Sequence, residues 1–189
     1  MNNSRAPKRA LTLSGILFFS VISILPLVIT LGRSPVFAQD TRPERVTVEY
    51  DQRNDITRIS LNPMILASRK FEELRLGAVA SYKGKVKIQP KEVALIFISL
   101  SAADENKYQT ARKLTIVADS ERLALGETQW SKQAQGRLFL QSMLAVIPSD
   151  TFLQITRAKE VTMRLGLTEV KLTTDQITLL RAAASYMTP

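Results

Sequence analysis

Between Tyr50 and Leu61 the sequence reads YDQRNDITRISL, which puts Asp51, Asn54 and Asp55 within five residues of one another. Such a group of oxygen donors could cup a hard cation, supply half of an acid/base pair, or close a hairpin turn. A calcium loop wants oxygen ligands at alternating positions and a glycine for its sharp bend. Here Arg53 stands among the acids, and no glycine occurs from 33 to 76. Acid/base hydrolysis needs a second carboxylate held across a cleft; its candidates are Glu49, Asp51, Asp55, Asp104 and Glu127, scattered along the chain. Asp and Asn side chains bond nearby backbone N–H groups in turns, and the runs on either side alternate as strands do. The expected structure is a hairpin with no metal-binding or catalytic role.

Little other chemistry remains open. The chain has no cysteine and no histidine. It therefore lacks thiol nucleophiles, thiolate metal and iron–sulfur sites, and c-type haem attachment. It also lacks the serine–histidine triad, the usual zinc sites and the commonest general base at neutral pH. No Ser-x-x-Lys pair and no Gly-x-Ser-x-Gly elbow occurs, and the seven glycines never group as a phosphate loop. Asp104–Glu105 lies in SAADENKYQT, which reads as a solvent-facing loop. The aromatics Tyr82, Phe97, Tyr108, Trp130, Phe139 and Phe152 are assigned to the core or to a sheet face, since large rings serve packing first. Trp130, in a polar stretch, is the best single candidate for touching a sugar or a partner. No catalytic, cofactor-binding or metal-binding residue is assigned, and no cofactor is expected.

The elements that must position these residues follow a leader. Arg5, Lys8 and Arg9 precede an apolar run from Leu11 to Leu31, and Val36 and Ala38 flank a cleavage point before Gln39. That order defines a secretory signal peptide over 1–38. The alternative is a retained membrane anchor over 11–31, because such a run at about 1.5 Å per residue spans a bilayer of about 30 Å. Either way residues 39–189 are exported, to the periplasm or the extracellular space, as a single domain. The leader's four basic residues (Arg5, Lys8, Arg9, Arg33) bring the net charge from +9 for the chain to +5 for residues 39–189. The excess is no nucleic-acid footprint. Its densest cluster is KGKVK, Lys83 to Lys87, either a solvated loop and strand edge or a weak attractor for an anionic membrane or cell-wall surface.

Short runs at strand period fill most of the domain. Val46, Val48 and Tyr50 share a face, then Thr57, Ile59 and Leu61, then Leu74, Leu76, Ala78, Ala80 and Tyr82. Val93 to Leu100 is apolar on both faces and reads as a central strand. KLTIVADSERLALG predicts a hairpin about Asp119–Ser120. Glu127 to Gly136 predicts a short strand and a turn. Arg137 to Ile147 is open to helix or strand, and the alternation of Leu138, Leu140, Leu144 and Val146 favours strand. A brief helix near 149–158 is expected, capped by Ser149, with Phe152 and Ile155 on one side. EVTMRLGLTEVKL predicts a hairpin turning at Gly166. Thr173 to Gln176 matches a capping box ahead of a C-terminal helix striped by Ile177, Leu180, Ala184 and Met187. The fold class is mainly β, an antiparallel sandwich or barrel-like domain with those two helices.

With the leader, YDxxxDxT (Tyr50, Asp51, Asp55, Thr57) and RLGxxEVxLT (Arg164 to Thr173), the chain resembles a loosely defined group of exported bacterial cell-envelope proteins of unknown function. The resemblance covers most of 45–187, with Arg53 where an aromatic is expected. It implies an envelope domain and no mechanism. The expected function is a non-enzymatic binding or structural module of the cell envelope, with an envelope protein or glycan as partner and no nucleic acid. Contact with the membrane would depend on the leader being retained. The alternatives are a carboxylate-dependent hydrolase of cell-wall glycans and a membrane-tethered envelope scaffold. An open sheet edge could also accept a partner's strand.

Overall fold

Side chains that alternate at period two separate onto two faces of a pleated strand, and the apolar face must find another layer to cover it. Among the described residues that demand produces two antiparallel sheets and three helices. The computed structural model describes residues 45–102 and 107–188, all within the compact unit Asp40–Pro189. In chain order the elements are β1 (Val46–Asp51), β2 (Ile56–Arg69), β3 (Glu72–Lys83), β4 (Glu92–Ser101), α1 (Lys107–Thr110), β5 (Lys113–Ala118) and β6 (Glu121–Glu127). There follow β7 (Gln129–Gln135), β8 (Leu138–Pro148), α2 (Ser149–Arg157), β9 (Val161–Leu165), β10 (Thr168–Lys171) and α3 (Thr174–Ser185). One sheet has six strands in the order β1-β2-β3-β4-β8-β7; the other has four, β10-β9-β5-β6. Among the described residues neither sheet closes into a barrel, so the fold is sandwich-like.

Both sheets and the helices contribute to one core. Leu76, Leu95, Phe97 and Met143 from the larger sheet, Leu114, Ile116 and Val161 from the smaller, and Phe152, Ile155, Leu180 and Met187 are all essentially inaccessible. Each such side chain contributes about 1.5–3 kcal/mol relative to leaving it in water. Strand β2 runs further than its opening alternation suggests, through Pro63 to Arg69. Register shifts between Leu61 and Met64 and between Ile65 and Ala67 absorb the proline and return Met64 and Leu66 to the core. The capping box at Thr173 forms in full, with the Gln176 N–H donating to Thr173 Oγ1 and the Thr173 N–H to Gln176 Oε1.

Four expectations change. Strand β8 forms, but its phase is the reverse of its leucines: Gln141, Met143, Ala145 and Ile147 are buried, while Leu138 and Val146 are exposed. The Gln141 amide is tolerated in the interior because its Oε1 accepts the Trp130 indole N–H at 3.1 Å. Ser149 does not cap α2. Pro148 holds the cap position, and the Ser149 hydroxyl is buried with no hydrogen-bond partner among the described residues. The polar stretch after Ser101 contains the short helix α1 where a loop was expected. Finally, β4 is central but fully buried on one face only; Ala94, Ile96, Ile98 and Leu100 on the other face are half-buried.

Candidate functional site

A candidate cleft lies where β3 leaves the larger sheet and β4 enters it. Residues 81–83 and 88–92 line a volume of about 380 Å³ with the Tyr82 ring, Ile88 and Pro90 as apolar wall and Lys83, Lys91 and Glu92 as charged rim. The connecting segment is fixed to its surroundings at several points. Gly84, at φ +83°, donates its N–H to the Asp55 carbonyl, and Thr57 Oγ1 donates to the Gly84 carbonyl at 2.6 Å. Lys85 Nζ stands 4.7 Å above the Tyr50 ring. Lys87 Nζ donates to the Ser185 carbonyl in the last turn of α3, where a cation is favoured by the helix dipole. Gln89 Nε2 donates to Asp150, and the Ser149 N–H closes the segment on the Lys91 carbonyl. Anchored so, the segment presents Val86 (78% exposed) and Ile88 (46% exposed) to solvent between lysines.

The Asp51 group is a hairpin turn, and β1 and β2 pair in register on either side of it. Asp51 accepts the Arg53 N–H at 2.8 Å, the Asn54 N–H at 3.2 Å and Asn54 Nδ2 at 2.6 Å. The Asn54 side chain, then the Asn54 and Arg53 amides, hold its carboxyl below the ordinary range. Asp55 takes the left-handed conformation (φ +53°) and accepts the Tyr50 hydroxyl at 2.8 Å, which pushes that phenol up. Among the described residues no group of three or more acidic side chains is placed to hold a metal ion. Glu49, Asp51 and Asp55 share this one hairpin, while Glu127 lies on the other sheet with Arg112 Nε at 3.2 Å. Asp104 and Glu105 lie outside the described residues. Of the aromatics, Phe97, Tyr108 and Phe152 are core; Tyr82 and Trp130 are partly buried against it, and Phe139 is half-buried with Lys132 Nζ 4.9 Å from its ring.

Glu72, a carboxylate absent from the candidates drawn from sequence, gathers the most partners. It accepts the Ser99 hydroxyl at 2.9 Å, Lys107 Nζ at 2.8 Å and the Tyr108 hydroxyl at 2.8 Å, with Arg69 at 3.7 Å. The Tyr108 oxygen lies 3.1 Å from Thr168 Oγ1 on β10, so the cluster bridges the two sheets. Burial pushes the Glu72 carboxyl up, but the bonds from Lys107, Tyr108 and Ser99 outweigh it and hold it below the ordinary range. Burial, reinforced by Glu72 and opposed by the Thr168 bond, pushes the Tyr108 phenol well above its usual value. A carboxylate so held stays ionised at neutral pH and is a clasp, not a proton donor. One signal for it was present: carrying the phase of Leu74, Leu76 and Ala78 back two residues puts Glu72 on the core side.

Comparison with family models, curated proteins and solved structures found no match to this chain. Among the described residues no helix is long and apolar enough to cross a membrane.

Proposed function

We propose that the domain is an exported, non-catalytic binding module of the cell envelope, and that it engages an anionic, amphipathic surface through the Lys83–Lys91 segment. The observation that carries this is the pairing of exposed Val86 and Ile88 with Lys83, Lys85 and Lys87 on a segment anchored on both flanks. β-branched apolar side chains left in water on a fixed segment suit an interface with an apolar layer, and the flanking ammonium groups suit anionic head groups at its edge. The adjoining cleft of Tyr82, Ile88 and Pro90 offers a place for one acyl or other apolar group.

Co-sedimentation of residues 39–189 with vesicles tests the proposal. Retention is expected on vesicles rich in anionic lipid and not on zwitterionic ones, weakening as salt rises. The double substitution Val86→Asp and Ile88→Asp should reduce retention about tenfold or more while leaving the circular dichroism spectrum unchanged. Equal retention of the variant, or no preference for anionic lipid, would overturn it.

A further inference from the structure

The outer face of the four-stranded sheet carries a second concavity, remote in sequence from the Lys83–Lys91 segment. Lys113, Thr115, Arg122, Arg164 and Gly166 line a volume of about 240 Å³. Its geometry follows from the register. Arg164 on β9 lies directly across from Thr115 on β5, and Arg122 on β6 lies across from Val117, one outward position along from Thr115. Lys113 is the outward residue on the other side of Thr115. Three cations on three neighbouring strands therefore surround one hydroxyl.

The acids near this face do not neutralise them. Glu127 faces Lys113 in register, but its carboxylate is taken by Arg112 at 3.2 Å. Glu160 holds Lys171 at 2.9 Å. Glu169 faces Arg164 across the strands, yet no ion pair within 4.0 Å joins them. Arg164 Nε is directed instead to the Gly166 carbonyl at 3.3 Å, a bond that orients the guanidinium and leaves its two terminal nitrogens free of ion pairs. The side chains of Lys113 and Arg122 make no ion pair or hydrogen bond to any described residue. Thr115 is only 8% exposed, and its hydroxyl, with no partner among the described residues, is not sealed from solvent as the Ser149 hydroxyl is.

Like charges gathered about one concavity repel one another, even where none stands directly opposite another. An arrangement of three, with an unpartnered hydroxyl at the floor, is complementary to a multiply charged oxyanion. We propose that this concavity is a binding site for a phosphate-type dianion, free or as a monoester, with Arg164 and Arg122 donating in pairs to its oxygens, Lys113 supplying a point charge and Thr115 donating from beneath. A single carboxylate would leave two of the cations uncompensated, whereas a tetrahedral dianion offers an oxygen to each donor.

The test is isothermal titration of the full chain with inorganic phosphate and, separately, with glycerol 3-phosphate, at low ionic strength. Saturable binding is expected, at least tenfold weaker in Arg122→Gln/Arg164→Gln and about fivefold weaker in Thr115→Val. Binding should be unchanged in Lys83→Gln/Lys91→Gln, which separates this site from the cleft on the other sheet. Tighter binding of the ester assigns the site to an esterified phosphate; equal binding assigns it to the free ion. No saturable binding of either ligand, or equal binding by wild type and the folded double variant, would overturn the proposal.

Discussion

The two sheets turn very different outer faces to their surroundings. On the six-stranded sheet, Ile96 lies beside Leu144 and Leu100 beside Leu140, with Ala94 beside the exposed Val146, so the β4–β8 part of that face is apolar, while the paired Glu73 and Arg75 of β3 stand next to it. On the four-stranded sheet the outward positions hold Lys113, Thr115, Val117, Arg122, Ala124, Glu127, Thr162, Arg164, Glu169 and Lys171, more charged than apolar. Both sheets contribute to one core, so the difference does not arise from the inner faces. It shows that burial of one face fixes the strands, while the other face is free to take a composition suited to what it meets. An apolar outer face gains stability from neighbours on its own sheet. A cationic one is stabilised by something that brings negative charge.

The largest effect is expected where the cationic face is shaped. Gly166 turns β9 into β10 at φ +57°, and a Cβ there would stand 1.9 Å from the Ala111 carbonyl oxygen. The left-handed conformation alone costs an alanine about 1–2 kcal/mol, and the clash with backbone must displace the segment before β5. Gly166→Ala should therefore lose more than about 3 kcal/mol in urea unfolding. Gly126→Ala provides the contrast: φ is +82° but nothing lies within 4 Å, so only the conformational part, about 1 kcal/mol, should appear. Equal losses at the two glycines would refute the role given to the Ala111 contact.

Next comes the clasp that joins the sheets. Replacing one Glu72 oxygen by an amide NH2 takes away the acceptor of the Lys107 ammonium, while the remaining oxygen can still accept from Tyr108 and Ser99, and Glu72→Gln should cost about 2 kcal/mol at pH 7. Acid should produce the same loss in the wild type. Because the folded-state pKa lies below the unfolded one, the stability contributed by Glu72 is fully present above about pH 4.3 and disappears as pH falls through the folded value. Chemical denaturation at stepped pH should show this loss in the wild type and a shallower acid limb in Glu72→Gln. Parallel limbs would remove Glu72 from the acid response.

How much of this was legible in the sequence depended on whether one face or several contacts decided the outcome. The β1–β2, β5–β6 and β9–β10 hairpins, the capping box at Thr173 and the stripe of α3 could be read because each is set by local chemistry or by one period. The side of β8 that faces the core could not. Leu140 and Leu144 look like inward residues, but the interior between β4 and β7 takes Met143, Ala145 and the bonded Gln141. Ser149 has a cap residue's chemistry, yet the chain enters α2 one residue earlier, at Pro148. Glu72 was missed because its partners, Arg69, Ser99, Lys107 and Tyr108, come from three separate elements. The cationic concavity was missed for the same reason: Lys113, Arg122 and Arg164 are scattered in sequence and meet only through strand register.

The smallest effect is the one that sharpens the contrast between the outer faces most directly, because the two substitutions differ in sign. Leu144→Ala removes part of a half-buried apolar contact with Ile96 and should cost about 1 kcal/mol, nearly independent of salt. Arg122→Gln removes one of three neighbouring like charges with no ion pair to lose, so in phosphate-free buffer it should stabilise by up to about 0.5 kcal/mol. That gain should be clear at about 0.01 M salt, where the screening length is about 30 Å, and vanish at about 1 M, where it is about 3 Å. Unfolding midpoints of both variants across that range provide the check. If Arg122→Gln were destabilising at low salt, its guanidinium would be satisfied within the fold, and the cationic face would owe its stability to internal contacts instead of an outside anion.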